Sequence, residues 1–228
     1  MTVIVAIDGP SGVGKSTTSK LVARELNIPH IDTGAMYRAI GLAAVRNGID
    51  THDAEALERL AGNAKIEFVP GEPPRVILDG EDITSLIRTP QISMAASDVS
   101  AVPGVRRVLV RLQQQLGRAV GGVLEGRDIG TKVFPETPYK FFLTATPRVR
   151  AERRYRELQS KGTTLSFDAV LAEAMARDEQ DSTRADSPLR YDESYTVIDT
   201  GGLTIPEVVD AIVSRVRERQ KAEGRGQK

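Results

Sequence analysis

The chain has 228 residues, with 31 Lys and Arg balancing 31 Asp and Glu, two histidines, no cysteine and no tryptophan. A balanced charge supplies no global field to hold nucleic acid or an anionic membrane, so any anion must be met by a local site. The absence of cysteine excludes disulfides and thiolate chemistry, and His30 and His52 alone argue against a multi-histidine metal centre or a Ser–His relay.

The length suits one large domain or two small ones, either able to bury a core. No apolar run approaches the ~18 residues of a membrane span, and the opening MTVIVAID has neither a basic n-region nor a small-residue cleavage site. A cytoplasmic protein is expected.

Residues 3–7 are five apolar residues, β-branched apart from Ala6, the pattern of a strand buried on both faces of a parallel sheet. A crossover helix follows, with Leu21, Val22 and Leu26 on one face and Pro29 as its stop. Residues 65–84 hold two β-like runs around a PGEPP turn, with an Asp-Gly step after the second, and predict a small antiparallel meander. Short apolar strands are predicted at 122–124, 139–145 and 196–198, separated by helical patterns, so the chain reads as a doubly wound α/β core. Ile205, Val208, Val209, Ile212, Val213 and Val216 repeat at helical spacing behind a Thr204/Glu207 capping box, and from Glu218 onward the apolar stripe ends and fraying is expected.

Directly after the first strand stands Gly9-Pro10-Ser11-Gly12-Val13-Gly14-Lys15-Ser16, which fits G-x-x-x-x-G-K-[ST]. Between a buried strand and an amphipathic helix, such a turn aims backbone N–H groups and the positive helix end at an anion. Gly9 and Gly14 allow close backbone approach, Lys15 brings a mobile charge to the β- and γ-phosphates, Ser16 offers a hydroxyl to Mg²⁺, and Thr17 adds a donor. Bound nucleoside triphosphate is implied; the acceptor is not. There is no Asn-Lys pair for reading guanine and no L-S-G-G-Q segment, which leaves a small kinase.

From 148 to 190 the chain carries eight Arg and one Lys against eight Asp and Glu. Arg153 and Arg154 on one predicted helix, with Arg177 and Arg184 near the start of another loop, suit a lid closing on phosphates, although each could equally sit in a solvated salt-bridge lattice. Asp32-Thr33-Gly34, leading to Tyr37 and Arg38, and Gly126-Arg127-Asp128 both follow strands. Ligands of open α/β sheets sit at such strand ends, although a capping Asp is as good a reading for each motif taken singly.

The runs AIDGPSGVGKST at 6–17, DTGAMYR at 32–38, AAS at 95–97 with VPGVR ending at Arg106, EGRDIGT at 125–131 and RDEQDSTRADSPL at 177–189 together resemble the bacterial cytidylate kinase (CMP/dCMP kinase) family of P-loop nucleoside monophosphate kinases. The resemblance spans nearly the whole chain, including an insert at about 60–95 that separates this family from adenylate kinases. It implies a P-loop core with a five-stranded parallel sheet flanked by helices, a small antiparallel β insert and a helical lid. A single kinase domain would divide into a core (1–32, 98–147 and 192–222), an acceptor-binding region (33–97), a lid (about 148–191) and a flexible tail (223–228).

By the same resemblance, ATP would lie on residues 9–17. Arg38, Arg127 and Arg184 would hold the acceptor phosphate, with Arg177 and Asp181 near its sugar. Ser97, Arg106 and Asp128 would read cytosine, and Thr33 stands where many members have Ser. Arg153 and Arg154 would be lid arginines, and Lys15, Arg127, Arg153 and Arg184 the catalytic set. Cytosine's N4 amine can donate to Asp128, whereas the uracil carbonyl would meet the same carboxylate repulsively. Asp32 is a weaker candidate for holding metal-bound water. The expected reaction is γ-phosphoryl transfer from ATP, with Mg²⁺, to CMP or dCMP by a monomer. A UMP/CMP or shikimate-type kinase, a nucleotide-dependent switch and a nucleic-acid module remain alternatives.

Overall fold

The computed structural model describes residues 2–71, 74–160, 162 and 164–225, the last three without side chains. Glu72 and Pro73 of the expected PGEPP turn, and the end of the expected tail at 226–228, lie outside the described residues. In chain order the elements are β1 (Ile4–Asp8), α1 (Lys15–Leu26), β2 (His30–Asp32), α2 (Thr33–Arg46), α3 (Ala54–Asn63), β3 (Ile66–Val69), β4 (Arg75–Leu78) and β5 (Glu81–Asp82). There follow α4 (Pro90–Ala101), α5 (Pro103–Val120), β6 (Gly122–Gly126), β7 (Tyr139–Thr144), α6 (Pro147–Ser160), α7 (Phe167–Thr183), β8 (Thr196–Asp199) and α8 (Ile205–Arg225). Among the described residues, no helix is long and apolar enough to cross a membrane.

Five strands form a parallel sheet in the order β2-β6-β1-β7-β8. β1 is central and buried from Val5 onward, as its unbroken apolar run requires. Asp8 lies opposite Gly126 in the β1–β6 register, so the loops leaving these two strands start side by side. β6 and β7 flank β1, which makes the carboxyl end of β1 a topological switch point. The meander is also present, as a three-stranded antiparallel sheet β3-β4-β5. Its Asp-Gly step joins β4 to β5 with both residues at positive φ, Asp79 at 51° and Gly80 at 88°, the geometry of a type I′ hairpin turn.

The chain divides into two compact units. The first, Met1–His30 with Ala119–Lys228, has a core in which Val5, Ile7, Phe141 and Leu143 of the sheet meet Val22 of α1 and Val208, Ile212 and Val216 of α8. Ile205 departs from the expected apolar stripe and is exposed, since the capping box leaves it in the first turn at the helix mouth. The box itself forms as expected, with Thr204 N and Oγ1 each donating to Glu207 Oε2 at 2.7 Å. The helix continues past Glu218 to Arg225.

The second unit, Ile31–Arg118, has a separate core of Met36, Ile40, Leu57, Ile83, Ile87, Val99, Val105 and Leu109. Gly41 permits the close approach of α2 to α4, because a Cβ there would stand 3.0 Å from the Ala96 backbone nitrogen.

Candidate active site

The turn between β1 and α1 has the backbone its sequence demands. Gly9, Gly12 and Gly14 all have positive φ, and a Cβ on Gly9 would stand 2.2 Å from the carbonyl oxygen of Leu143 on β7. Arg150 Nη1 donates to Ser11 O at 3.0 Å, while Thr200 Oγ1 and Arg153 Nη1 donate to Val13 O at 3.1 and 3.4 Å. The two groups of a peptide point in opposite directions, so these contacts turn the amides of Gly12 and Gly14 away from the guanidinium side.

Lys15 is buried within this turn, its Nζ donating to Gly9 O at 2.7 Å and Pro10 O at 2.6 Å. Burial pushes the Lys15 pKa well below its usual value, and the positive charge of Arg127 pushes the same way, against the pull of Glu125 and Asp181. Ser16 Oγ donates to Glu125 Oε2 at 2.8 Å, and the other oxygen of Glu125 meets His30 Nε2 at 3.0 Å. Thr17, next on α1, is exposed.

Beyond β6, Arg127 Nε donates to Asp181 Oδ2 at 2.7 Å, and Arg184 Nη1 stands 3.5 Å from Asp181 Oδ1. Burial would raise the Asp181 pKa, but Arg127, then Arg184 and Arg177, hold it below the usual carboxylate range. Burial likewise opposes the charge of Arg127, yet the Asp181 pair keeps its pKa raised. Arg184 ends α7 and donates from Nε to Ser187 O at 2.6 Å. Asp128 is buried at the head of a π-helical turn, Ile129–Val133. The first unit therefore gathers Lys15, Ser16, Arg127, Arg177, Asp181 and Arg184 around the phosphate loop.

Arg153 is engaged as a brace, donating to Thr200 Oγ1 at 3.0 Å and Thr200 O at 2.5 Å besides Val13 O. Arg154 makes a half-exposed ion pair with Glu157 one turn along α6, the salt-bridge alternative noted for this segment.

In the second unit Asp32 caps α2, accepting from Ala35 N at 3.2 Å, and its other oxygen accepts from Arg38 Nη2 at 2.5 Å. Thr33 is buried in the first turn of α2. Tyr37, one helical turn on, is buried beneath the Arg106 guanidinium, 5.6 Å from its ring centroid. Arg106 Nη1 donates to Ser100 O at 3.3 Å, and the Ser100 hydroxyl donates to Ser97 O at 2.7 Å. Tyr37, Ser97 and Arg106 are thus drawn together by the packing of α2, α4 and α5.

Three residues of the site carry no role in the sequence reading: Glu125, Arg150 and Asp8. Glu125 opens the EGRDIGT run at the end of a strand, the position that singled out Arg127 and Asp128 two and three residues later. Arg150 is one of eight arginines that look alike in sequence, yet all three of its guanidinium nitrogens are engaged, donating to Ala145 O at 3.0 Å and making a two-armed pair with Asp178.

A family model described as cytidylate kinase matches residues 5–218. The cytidylate kinase of Syntrophotalea carbinolica is 49% identical over 219 residues, 96% of this chain and 93% of its own. That of Geobacter sulfurreducens is 50% identical over 220 residues, 96% of this chain and 94% of its own. Among solved structures, an uncharacterized protein from Eubacterium ventriosum aligns over 96% of this chain and 99% of its own, with a TM-score of 0.53 at 12% identity, a likeness of fold alone. With a phosphate loop at the switch point of a parallel sheet and relatives of this identity along almost its full length, the chain belongs to the cytidylate kinase family.

Proposed function

We infer that the protein transfers the γ-phosphoryl group of ATP to the 5′-phosphate of CMP or dCMP, giving CDP or dCDP. One observation carries the chemistry: Lys15 is held buried beside Arg127 and Arg177, and its pKa is lowered first by burial and then by repulsion from these two cations, against the pull of Glu125 and Asp181. Anionic phosphate oxygens would relieve that repulsion, so the cluster favours the ligand it lacks charge to satisfy.

An acceptor phosphate with a second pKa near ~6 is largely dianionic at neutral pH, so its oxygen attacks without a strong general base. That suits a site gathered from cations. Catalysis then rests on in-line positioning and on neutralising charge over the equatorial oxygens. We assign ATP to residues 9–17 and the phosphoryl groups to Lys15. In the first unit Arg127 and Arg184 take the acceptor phosphate, Arg177 and Asp181 the sugar, and Asp128 the cytosine amine. In the second, Arg38 takes phosphate and Ser97 and Arg106 the base, with Thr33 and Tyr37 beside them. Arg153 steadies the loop that carries the donor, and residues 148–191 form a lid that excludes water on closing.

The residues present fit Mg²⁺. Ser16 and Glu125 bring a hydroxyl and a carboxylate within 2.8 Å of each other beside Lys15. Mg²⁺ takes one or two protein oxygens and keeps several waters, so a two-residue donor set is sufficient. Bound there, it would supply positive charge to the phosphates of ATP. Asp32, expected to act through water, is engaged as a helix cap and as the partner of Arg38.

We propose a cytoplasmic monomer acting on free nucleotides, with neither nucleic acid nor membrane as partner. The deciding experiment is an assay of ADP release with CMP, dCMP, UMP, AMP and shikimate as acceptors. CMP and dCMP should lead the panel. A lead by another acceptor, or no acceptor-dependent ADP release, would overturn the proposal.

A further inference from the structure

We propose that Asp8 is a positioning residue that sets the Arg127–Asp128 segment, and through it the discrimination of cytosine from uracil. The inference rests on the role assigned above to Asp128. Asp8 closes β1 and is completely buried. Its Oδ1 accepts from Ile129 N at 2.9 Å, and its Oδ2 accepts from Gly130 N at 2.9 Å and from the Tyr195 hydroxyl at 2.8 Å. One carboxylate thus joins the central strand, the turn after β6 and the segment entering β8.

The placement brackets the two residues of interest. On the near side, Asp8 lies opposite Gly126 in the β1–β6 ladder, so Arg127 leaves the sheet at a fixed point. On the far side, the carboxylate holds the amides of Ile129 and Gly130. Between these clamps the chain has only Arg127 and Asp128. The turn beyond is closed by its own bonds, with Lys132 N donating to Asp128 O at 2.9 Å and Phe134 N to Ile129 O at 2.7 Å. Those bonds hold the turn together, and the Asp8 carboxylate ties it to the central strand.

Only a carboxylate can do this. Two successive N–H groups and a hydroxyl converge on one side chain, and a carboxylate has acceptor sites for all of them. Asparagine would turn an N–H₂ group toward one of the donors, and an apolar residue would strand two buried amides. Gly130 belongs to the same device, because a Cβ there would stand 2.5 Å from the Tyr195 oxygen and force the hydroxyl away. Tyr195 is itself held, with its ring edge-on to Phe142 at 6.3 Å and Lys140 Nζ 5.9 Å from its centroid.

The test uses Asp8→Asn and Tyr195→Phe in the full chain, read by KM for CMP, KM for ATP and the ratio of kcat/KM for CMP over UMP, with melting temperatures alongside. Asp8→Asn should lower the CMP-over-UMP ratio by about tenfold or more and raise KM for CMP, while KM for ATP stays unchanged. Tyr195→Phe should move the ratio in the same direction by less. A merely structural Asp8 would lower the melting temperature and leave the ratio alone, and that result overturns the proposal, as does a change confined to KM for ATP. Should Asp8→Asn not fold, Tyr195→Phe decides: a lowered ratio supports the proposal and an unchanged one overturns it. If the unaltered protein does not prefer CMP, the functional reading falls and this inference with it, a failure visible before any variant is made.

Discussion

Arg127 and Asp181 stand 54 positions apart in the chain and 2.7 Å apart in space, Nε to Oδ2, with both side chains largely buried. Asp181 also draws in Arg184, so a single carboxylate keeps two guanidinium groups from repelling one another. Removing it leaves uncompensated buried charge. Asp181→Ala should cost about 3–5 kcal/mol of stability. Thermal or urea unfolding checks this, and a double-mutant cycle with Arg127→Ala should show the pair strongly coupled.

The Lys15 ammonium is spent on two backbone carbonyls and pressed by neighbouring positive charge. It stores electrostatic cost in the fold, which a bound phosphate would relieve. Lys15→Met should therefore cut turnover roughly a hundredfold to a thousandfold while leaving the melting temperature close to that of the parent. A steady-state assay and a melt on one preparation separate the two effects. Near-normal turnover would contradict the phosphate-loop assignment.

Asp8 has its pKa pushed from 3.8 up to about 6, first by burial and further by neighbouring Asp128, against the hydrogen bonds from Gly130, Ile129 and Tyr195. The folded state therefore binds the proton more tightly than the unfolded chain. The stability this contributes is fully present below pH ~4 and is lost as pH rises through about 6, on the order of 3 kcal/mol in all. Other carboxylates, Asp181 among them, run the opposite way, so the quantity to measure is a difference. Subtracting the stability of Asp8→Asn from that of the parent across pH 4–7 should leave a downward slope, and a flat difference would refute it.

Glu125 is the carboxylate in contact with Ser16. Glu125→Gln keeps the shape and removes the charge, so it should raise the Mg²⁺ concentration for half-maximal activity by about tenfold to a hundredfold. Titrating Mg²⁺ at saturating substrates, and following its binding by calorimetry, measures this. Equal Mg²⁺ requirements in parent and variant would move the metal elsewhere.

What the sequence by itself determined is what neighbours along the chain decide. The apolar run of β1 has only buried positions to occupy, the glycines of residues 9–14 admit one kind of turn, Thr204 and Glu207 cap their own helix, and Asp79-Gly80 specifies its hairpin. These depend on backbone sterics and hydrogen bonds within a few residues. The roles proposed for Arg38, Ser97, Arg106 and Arg177 rest on likeness to a family, since periodicity marks a face and does not name what an arginine binds.

Only the tertiary structure decided which distant groups meet. The pairing of β1 with β6 brings Asp8 against Gly126, Ile129 and Gly130, and seats Glu125 on Ser16, 109 positions away. No local signal marks such a partner, because it is chosen by strand order and register. The same holds for α6, where eight arginines across the 148–190 segment look alike in sequence. Packing makes Arg150 and Arg153 braces of the phosphate loop and leaves Arg154 on the surface, since burial and an unmet carbonyl within reach are properties of the assembled fold.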